Sequence, residues 1–335
     1  MKNISKDLAS LAKFFNASYI GDPACRFESI ASVGEANSND ISAIFSPKYK
    51  HFLEKSQAAI LIVDPDMGVD CKRNALIVAN PRLVFAKISN CLHPKEKGPA
   101  GLHSTCTVGK GCAIAEEVSC APYVTIGDRV SIGSGSMIGP GVVIGNDVTI
   151  GQDVYLHAGV KCYPNTLIGD DCVVHANTVL GADGFGFVFD EDNKNWLRVS
   201  QIGRVCLGRA VEIGSNSTVD CAAFNETILS DGAKLGSQVM VGHNVIVGKH
   251  TVIACKSSVG GSTQIGDYCL LGGEVGVSDN LVICDKVTLT GGAKVAKSIQ
   301  VPGVYSSSLW PLMPHRQWVK FVVAMVRRNK KEREQ

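Results

Sequence analysis

The stretch VTIGDRVSIGSGSMIGPGVVIGNDVTIG, residues 124–151, decides the fold. Ile126, Ile132, Ile138, Ile144 and Ile150 recur every six residues, and glycine follows each of them. Extended in both directions, the phase holds for thirteen consecutive positions from Val108 to Leu180, including Cys120, Leu156 and Cys162, and each carries an aliphatic residue or a cysteine. A second run of twelve goes from Leu229 to Val295, and Leu207, Ile213 and Val219 form a short third frame between the two. A period of six precesses around a helix of 3.6 residues per turn. It fits a strand period of two followed by a corner. The aliphatic residue then points inward, the glycine after it gives the backbone freedom at the corner, and stacked coils bury a core that no single coil could make. Two frame breaks interrupt the pattern. Residues 181–206, GADGFGFVFDEDNKNWLRVSQIGRVC, form an insertion carrying Asp183, Phe185, Phe187 and Trp196, and a shorter slip lies between Val219 and Leu229. Insertions in a solenoid gather on one face, often the binding face.

Composition narrows the function. The 335 residues include 33 Lys+Arg against 31 Asp+Glu, a net charge of +2, which argues against a protein that coats nucleic acid. Aromatics are only 6% while glycines number 35, a balance unsuited to a helical core of large side chains. The 13 cysteines are odd in number and include no C-x-x-C pair, so a disulfide framework is not expected, Cys162 reads as a small hydrophobe, and the compartment reads as reducing and cytoplasmic. MKNISKDLASLAKFF lacks the apolar run of a signal peptide, and Phe321–Val326 is too short for a transmembrane segment. No metal-ligand spacing and no P-loop is visible, so neither a metal nor a cofactor is expected.

The ends lack hexads. Residues 1–98 read as a small α/β domain: DLASLAKFF has helical spacing, AAILIVD and NALIVAN are buried-strand patterns, and Ser46-Pro47 and Asn80-Pro81 each read as an N-cap and first residue of a helix. HPKEKGPAG, residues 93–101, reads as a linker, 99–305 as the repeat domain, and 306–335 as a loop and then a helix from about His315. Trp318, Phe321, Val322, Met325 and Val326 form the apolar stripe of that helix, and seven Lys/Arg against two Glu from Arg316 onward suit an acidic partner.

At this point the residues point to a family. LGADGFGF (180–187), QIGRVCLGRAVEIGSNSTVD (201–220), VGHNVIVG (241–248), ICDKVTLTG (283–291) and PGVYSS (302–307), with the N-terminal domain, resemble the UDP-3-O-(3-hydroxyacyl)glucosamine N-acyltransferases of lipid A biosynthesis over essentially the whole chain. The resemblance implies a left-handed parallel β-helix with 18 residues per triangular coil. It also implies transfer of a 3-hydroxyacyl chain from acyl carrier protein to the 2-amino group of a UDP-linked, O-acylated glucosamine. The family works as a homotrimer with active sites in clefts between neighbouring β-helices. Its N-terminal domain holds uridine, and its C-terminal helices help dock the acidic carrier protein. An O-acylating hexapeptide acyltransferase and a non-catalytic β-helix scaffold are the competing readings, and the N-terminal domain argues against the first.

An amine attacking a thioester needs a proton acceptor and a donor for the developing oxyanion, but no covalent enzyme intermediate. Histidine suits the first task. Of the eight histidines, His243 lies two residues past the inward Val241 and is the histidine of the VGHN motif, which matches the family's catalytic base. One coil of 18 residues on from it stands Gly261, whose N–H is the candidate oxyanion donor. SPKY matches the family's uridine-contacting turn, which makes Ser46, Lys48 and Tyr49 the substrate-binding candidates. Some positions depart from the family. Ser46 stands for a common Asn, Ala43 for an aromatic, Asn280 for a secondary histidine, Gly236 for an acid near the base, Cys221 for an arginine, and Lys294 and Ala296 for methionines of the acyl pocket. These departures leave the acyl length and the partner that orients His243 open.

Overall fold

The computed structural model describes residues 5–94, 98–307 and 314–333, with side chains of the last segment only to Ala324. Parts of the expected linker, of the loop before the last helix, and the Met325 and Val326 side chains lie outside the described residues. The chain divides into two compact units, Met1–Glu96 and Lys97–Gln335.

In the first unit, strands β1 (Ser18–Ile20), β2 (Ser29–Ile30), β3 (Asp40–Ala43), β4 (Ile60–Val63) and β5 (Ala75–Ile77) form one sheet in the order β1-β5-β4-β3-β2. Only the β1–β5 pairing is antiparallel. The runs that read as buried strands are β4, wholly buried, and β5. Helix α1 (Leu8–Phe15) is capped by Asp7, whose carboxylate accepts the Ser10 N–H. Short helices α2 (Phe52–Lys55) and α3 (Pro65–Asp70) precede α4 (Pro81–Leu92), where Asn80 caps as expected by accepting the Leu83 N–H. Ser46 does not repeat this: Pro47–Tyr49 is a single 3₁₀ turn, and the Ser46 side chain makes no cap hydrogen bond.

The second unit is a parallel β-helix whose coils turn through three faces. Among the described residues the faces hold 11, 10 and 9 strands, starting at Gly101–Leu102, Thr107–Val108 and Ala113–Ile114. Register is kept from coil to coil, as where Ile126 pairs with Ile144 and Ile132 with Ile150, except for one bulge between Leu180 and Ala182. The third frame fits the same stack, with Ile168 opposite Leu207, Val174 opposite Ile213 and Leu180 opposite Val219. Inward residues from Cys120 to Val295 make one continuous core. Val108, in a first coil with no coil below it, stays 39% exposed. Cys162 lies in this core, where burial pushes its thiol up to about 12.

Apart from Gly181, which does take a positive φ of 89°, the glycines after the inward residues serve a different purpose from the one expected. The left-handed conformation falls two residues later at each corner, at Arg129, Asp147, Asn165, Asn177, Asn216, Asn244 and Asn280 among others. Gly133 has no positive φ, yet a Cβ there would lie 2.6 Å from the backbone of Gly151. Close approach of successive coils is what excludes a side chain. Both frame breaks open at one corner, between the second and third faces. The insertion joins Val179–Ala182 to Arg204–Leu207 and includes a hairpin, Phe187–Asp190 with Asn195–Arg198; the slip joins Thr218–Asp220 to Glu226–Leu229. Helix α5 (His315–Arg333) ends the chain as described, with Trp318, Val319 and Val323 exposed.

Candidate active site

His243 stands at that same corner, after Met240–Val241 on the second face and before Ile246–Val247 on the third. Its Nδ1 lies 3.1 Å from Asn244 Oδ1. The same amide oxygen accepts the Ala223 N–H at 3.0 Å, and Asn244 Nδ2 donates to the Phe224 carbonyl at 2.7 Å. These contacts fix which end of the amide is oxygen. An amide oxygen only accepts, so the network assigns the proton to Nδ1 and leaves Nε2 with a free lone pair. Asn244 is itself held in the left-handed conformation, φ 59°, and its N–H donates to Thr227 Oγ1 at 2.8 Å. The slip at 220–225 thus supplies the cradle for the amide that orients the His243 ring.

Gly261 lies beside the ring, as the coil arithmetic places it. A Cβ on Gly261 would fall 2.6 Å from His243 Nε2, so the ring holds its position only against glycine. The Gly261 N–H donates to no acceptor among the described residues, while the Ser262 N–H donates to the His243 carbonyl at 2.8 Å. On the other side the insertion returns to the imidazole. A Cβ on Gly184 would meet His243 Cβ at 2.7 Å and Gln201 Oε1 at 2.9 Å. Gln201 Nε2 donates to the Val199 carbonyl at 3.1 Å, and its Oε1 is buried without a partner.

Asp220 is the buried acid of this corner. It is 4% exposed, and burial pushes its carboxyl up to about 6; the His243 imidazole pulls it down and Asp183 pushes it up again. Asp183 is exposed and pairs with Arg198 at 3.6 Å. Of the departures from the family pattern, Asn280 sits at this corner, its N–H donating to the Gly261 carbonyl at 2.9 Å, and buried Cys221 follows Asp220. Gly236 does not. It follows Lys234–Leu235 on the first face, at a different corner, where a Cβ would meet Cys255 Sγ at 2.8 Å. Within one protomer, therefore, its lost acid is not missing from beside His243. Asn244 and Asp220 were not singled out by the sequence reading. Asn244 had a visible signal, as the neighbour of the base at the corner's left-handed position. Asp220 occupies the place after the inward residue that glycine holds at Gly127, Gly145, Gly242 and Gly260, and an acid there breaks the hexad rule.

In the first unit Ser46, Lys48 and Tyr49 share one turn after β3. Ser46 is half-buried, Tyr49 is exposed, and the Lys48 ammonium lies 4.9 Å from the centre of the Tyr49 ring. Ala43 is buried in the core, but exposed Phe45, overlooked by the sequence reading, packs edge-on against Phe85 at 5.3 Å with the Arg82 guanidinium over its ring. No helix among the described residues is long and apolar enough to cross a membrane.

Comparison with known proteins points to one family. Residues 25–91 match the UDP-3-O-(3-hydroxymyristoyl) glucosamine N-acyltransferase family, and residues 123–155 and 147–182 match the bacterial transferase hexapeptide (six repeats). A UDP-3-O-acylglucosamine N-acyltransferase of Coxiella burnetii is 37% identical over 322 residues, 96% of this chain and 94% of that one. One of Bordetella pertussis is 41% identical over 303 residues, 88% of this chain and 83% of that one. The structure of the Arabidopsis UDP-N-acetylglucosamine acyltransferase matches in fold, with a TM-score of 0.54 at 18% identity over 62% of this chain and 71% of that one. With a parallel β-helix that follows an α/β unit in the sequence and identity of this extent along nearly its full length, the chain belongs to the UDP-3-O-acylglucosamine N-acyltransferase family.

Proposed function

We propose that this N-acyltransferase moves a 3-hydroxyacyl chain from the thioester of acyl carrier protein to the 2-amino group of UDP-3-O-(3-hydroxyacyl)-glucosamine, a step of lipid A biosynthesis, in the cytoplasm. The observation that carries the reading is a basic Nε2, freed by the Nδ1–Asn244 contact, lying beside a glycine whose N–H is unused. His243 takes the proton of the attacking amine, and the Gly261 N–H donates to the thioester oxygen as charge develops on it. The thioester is already activated, so the reaction runs without cofactor, metal or covalent enzyme intermediate. Ser46, Lys48 and Tyr49 hold the uridine, with the exposed Tyr49 ring offering a stacking face and a hydroxyl.

The assembly is a homotrimer, with each His243 facing a cleft shared with a neighbouring β-helix. Exposed Trp318, Val319 and Val323 on α5 support association of the C-terminal helices, and the cationic end of the chain suits the acidic carrier protein. Purified protein, given UDP-3-O-acylglucosamine and hydroxyacyl carrier proteins of several lengths, is expected to form the N-acylated product by mass. His243→Ala is expected to lose about 10²–10⁴-fold in rate with its fold kept. Wild-type turnover in that variant would remove the base assignment, and acylation of a sugar hydroxyl alone would replace the reaction.

A further inference from the structure

Asp220 carries more information than its neighbours. Val219 pairs with Val241, which sets Asp220 one coil from Gly242, next in the chain to His243. Its side chain is 4% exposed, its oxygens keep slight access to solvent, and no protein group among the described residues donates a hydrogen bond to it. A carboxylate this nearly buried, to which no protein group donates, is costly to ionise, and among the described residues there is no cap, turn or ion pair for Asp220 to hold. The charged and titratable groups facing it are the His243 imidazole, the Asp183 carboxylate with its Arg198 partner, and the Cys221 thiol, which burial and both acids push up. Only the imidazole offers it a favourable interaction once protonated.

We propose that Asp220 is the positioning residue for His243, supplying the negative charge that stabilises the imidazolium formed during acyl transfer. The inference rests on the reading of His243 as the base. As the amine nitrogen bonds to the thioester carbon, its proton passes to Nε2. As the carbon–sulfur bond breaks, the imidazolium returns that proton to the leaving thiolate, which departs as the carrier's thiol. Asn244 fixes the tautomer and Asp220 the charge, so the two neighbours divide the work that one acid performs in a Ser-His-Asp triad.

The test is kinetic and thermal together. Asp220→Asn is expected to lower kcat about 10–100-fold, to leave KM for the sugar within about twofold, and to leave Tm equal or higher. In the pH profile of kcat/KM the acid side is expected to lose one of two ionisations, its limiting slope falling from about two to about one. Asp183→Asn, at an exposed position, is expected to keep kcat and move the acid limb to lower pH. A kcat within about threefold of wild type in Asp220→Asn, or a drop in kcat that follows a drop in Tm with both acid limbs unmoved, overturns the proposal. If His243→Ala is inactive while Asp220→Asn is normal, only this inference fails; if His243→Ala is active, the underlying reading fails first.

Discussion

At the scale of single residues the site is a set of exclusions. The ring of His243 lies where it does because Gly261 and Gly184 have no side chains. Gly261→Ala puts a methyl group 2.6 Å from Nε2, so the ring must turn off Asn244 or the coil must shift. The expected outcome is a loss of about 10²-fold or more in kcat with Tm within a few degrees, measured by product formation and by thermal melting. Asp220 makes a separate prediction about stability. Its carboxyl ionises ordinarily near 3.8 and in the fold near 6 because of burial, so between those values the native state holds the extra proton. Stability then falls as pH rises through that window, and above pH 6 the full cost, roughly 1–3 kcal/mol, is present. Asp220→Asn is expected to be more stable than wild type at pH 7.5 and equal to it below pH 4, by denaturant unfolding at both. His243 was legible because a motif carries it. Asn244 and Asp220 were less so, because their meaning lies in what the next coil brings against them.

At the scale of elements, the hexad made the strands and corners legible, and even the coil neighbour of His243 followed from counting 18. The insertion and the slip were visible as breaks in phase, but their shared corner emerges only when the three faces are closed. The reading of the corner glycines missed because two constraints, close approach and positive φ, sit two residues apart and look alike in sequence. The second constraint is testable at Asn165, exposed and at φ 63°. Asn165→Val forces a β-branched residue into the left-handed region and is expected to cost about 1–2 kcal/mol, while Asn165→Gly stays within about 0.5 kcal/mol, both read from urea midpoints.

At the scale of the whole molecule, the second unit has no hub: apart from the insertion, which reaches past one coil to His243, coils pair only with the coils above and below, and stability is close to a sum of such contacts. A single-protomer fold leaves Trp318, Val319 and Val323 in solvent. Light scattering is expected to give a mass three times the 35.5 kDa chain. Binding of an acidic carrier protein is expected to weaken steeply between low and physiological salt, because salt screens the attraction of the Lys- and Arg-rich C-terminal sequence for an acidic partner.

The register along the stack, with its one bulge after Leu180 that brings Asp183 into line with Cys221, has a genetic consequence. The residues that feel a change at His243 belong to its own column, through Asp183, Cys221, Gly261 and Asp279, far apart in the chain and one rung apart in space. Second-site suppressors of a weakened base should therefore map to that column, and the other two corners of the same coil should be silent.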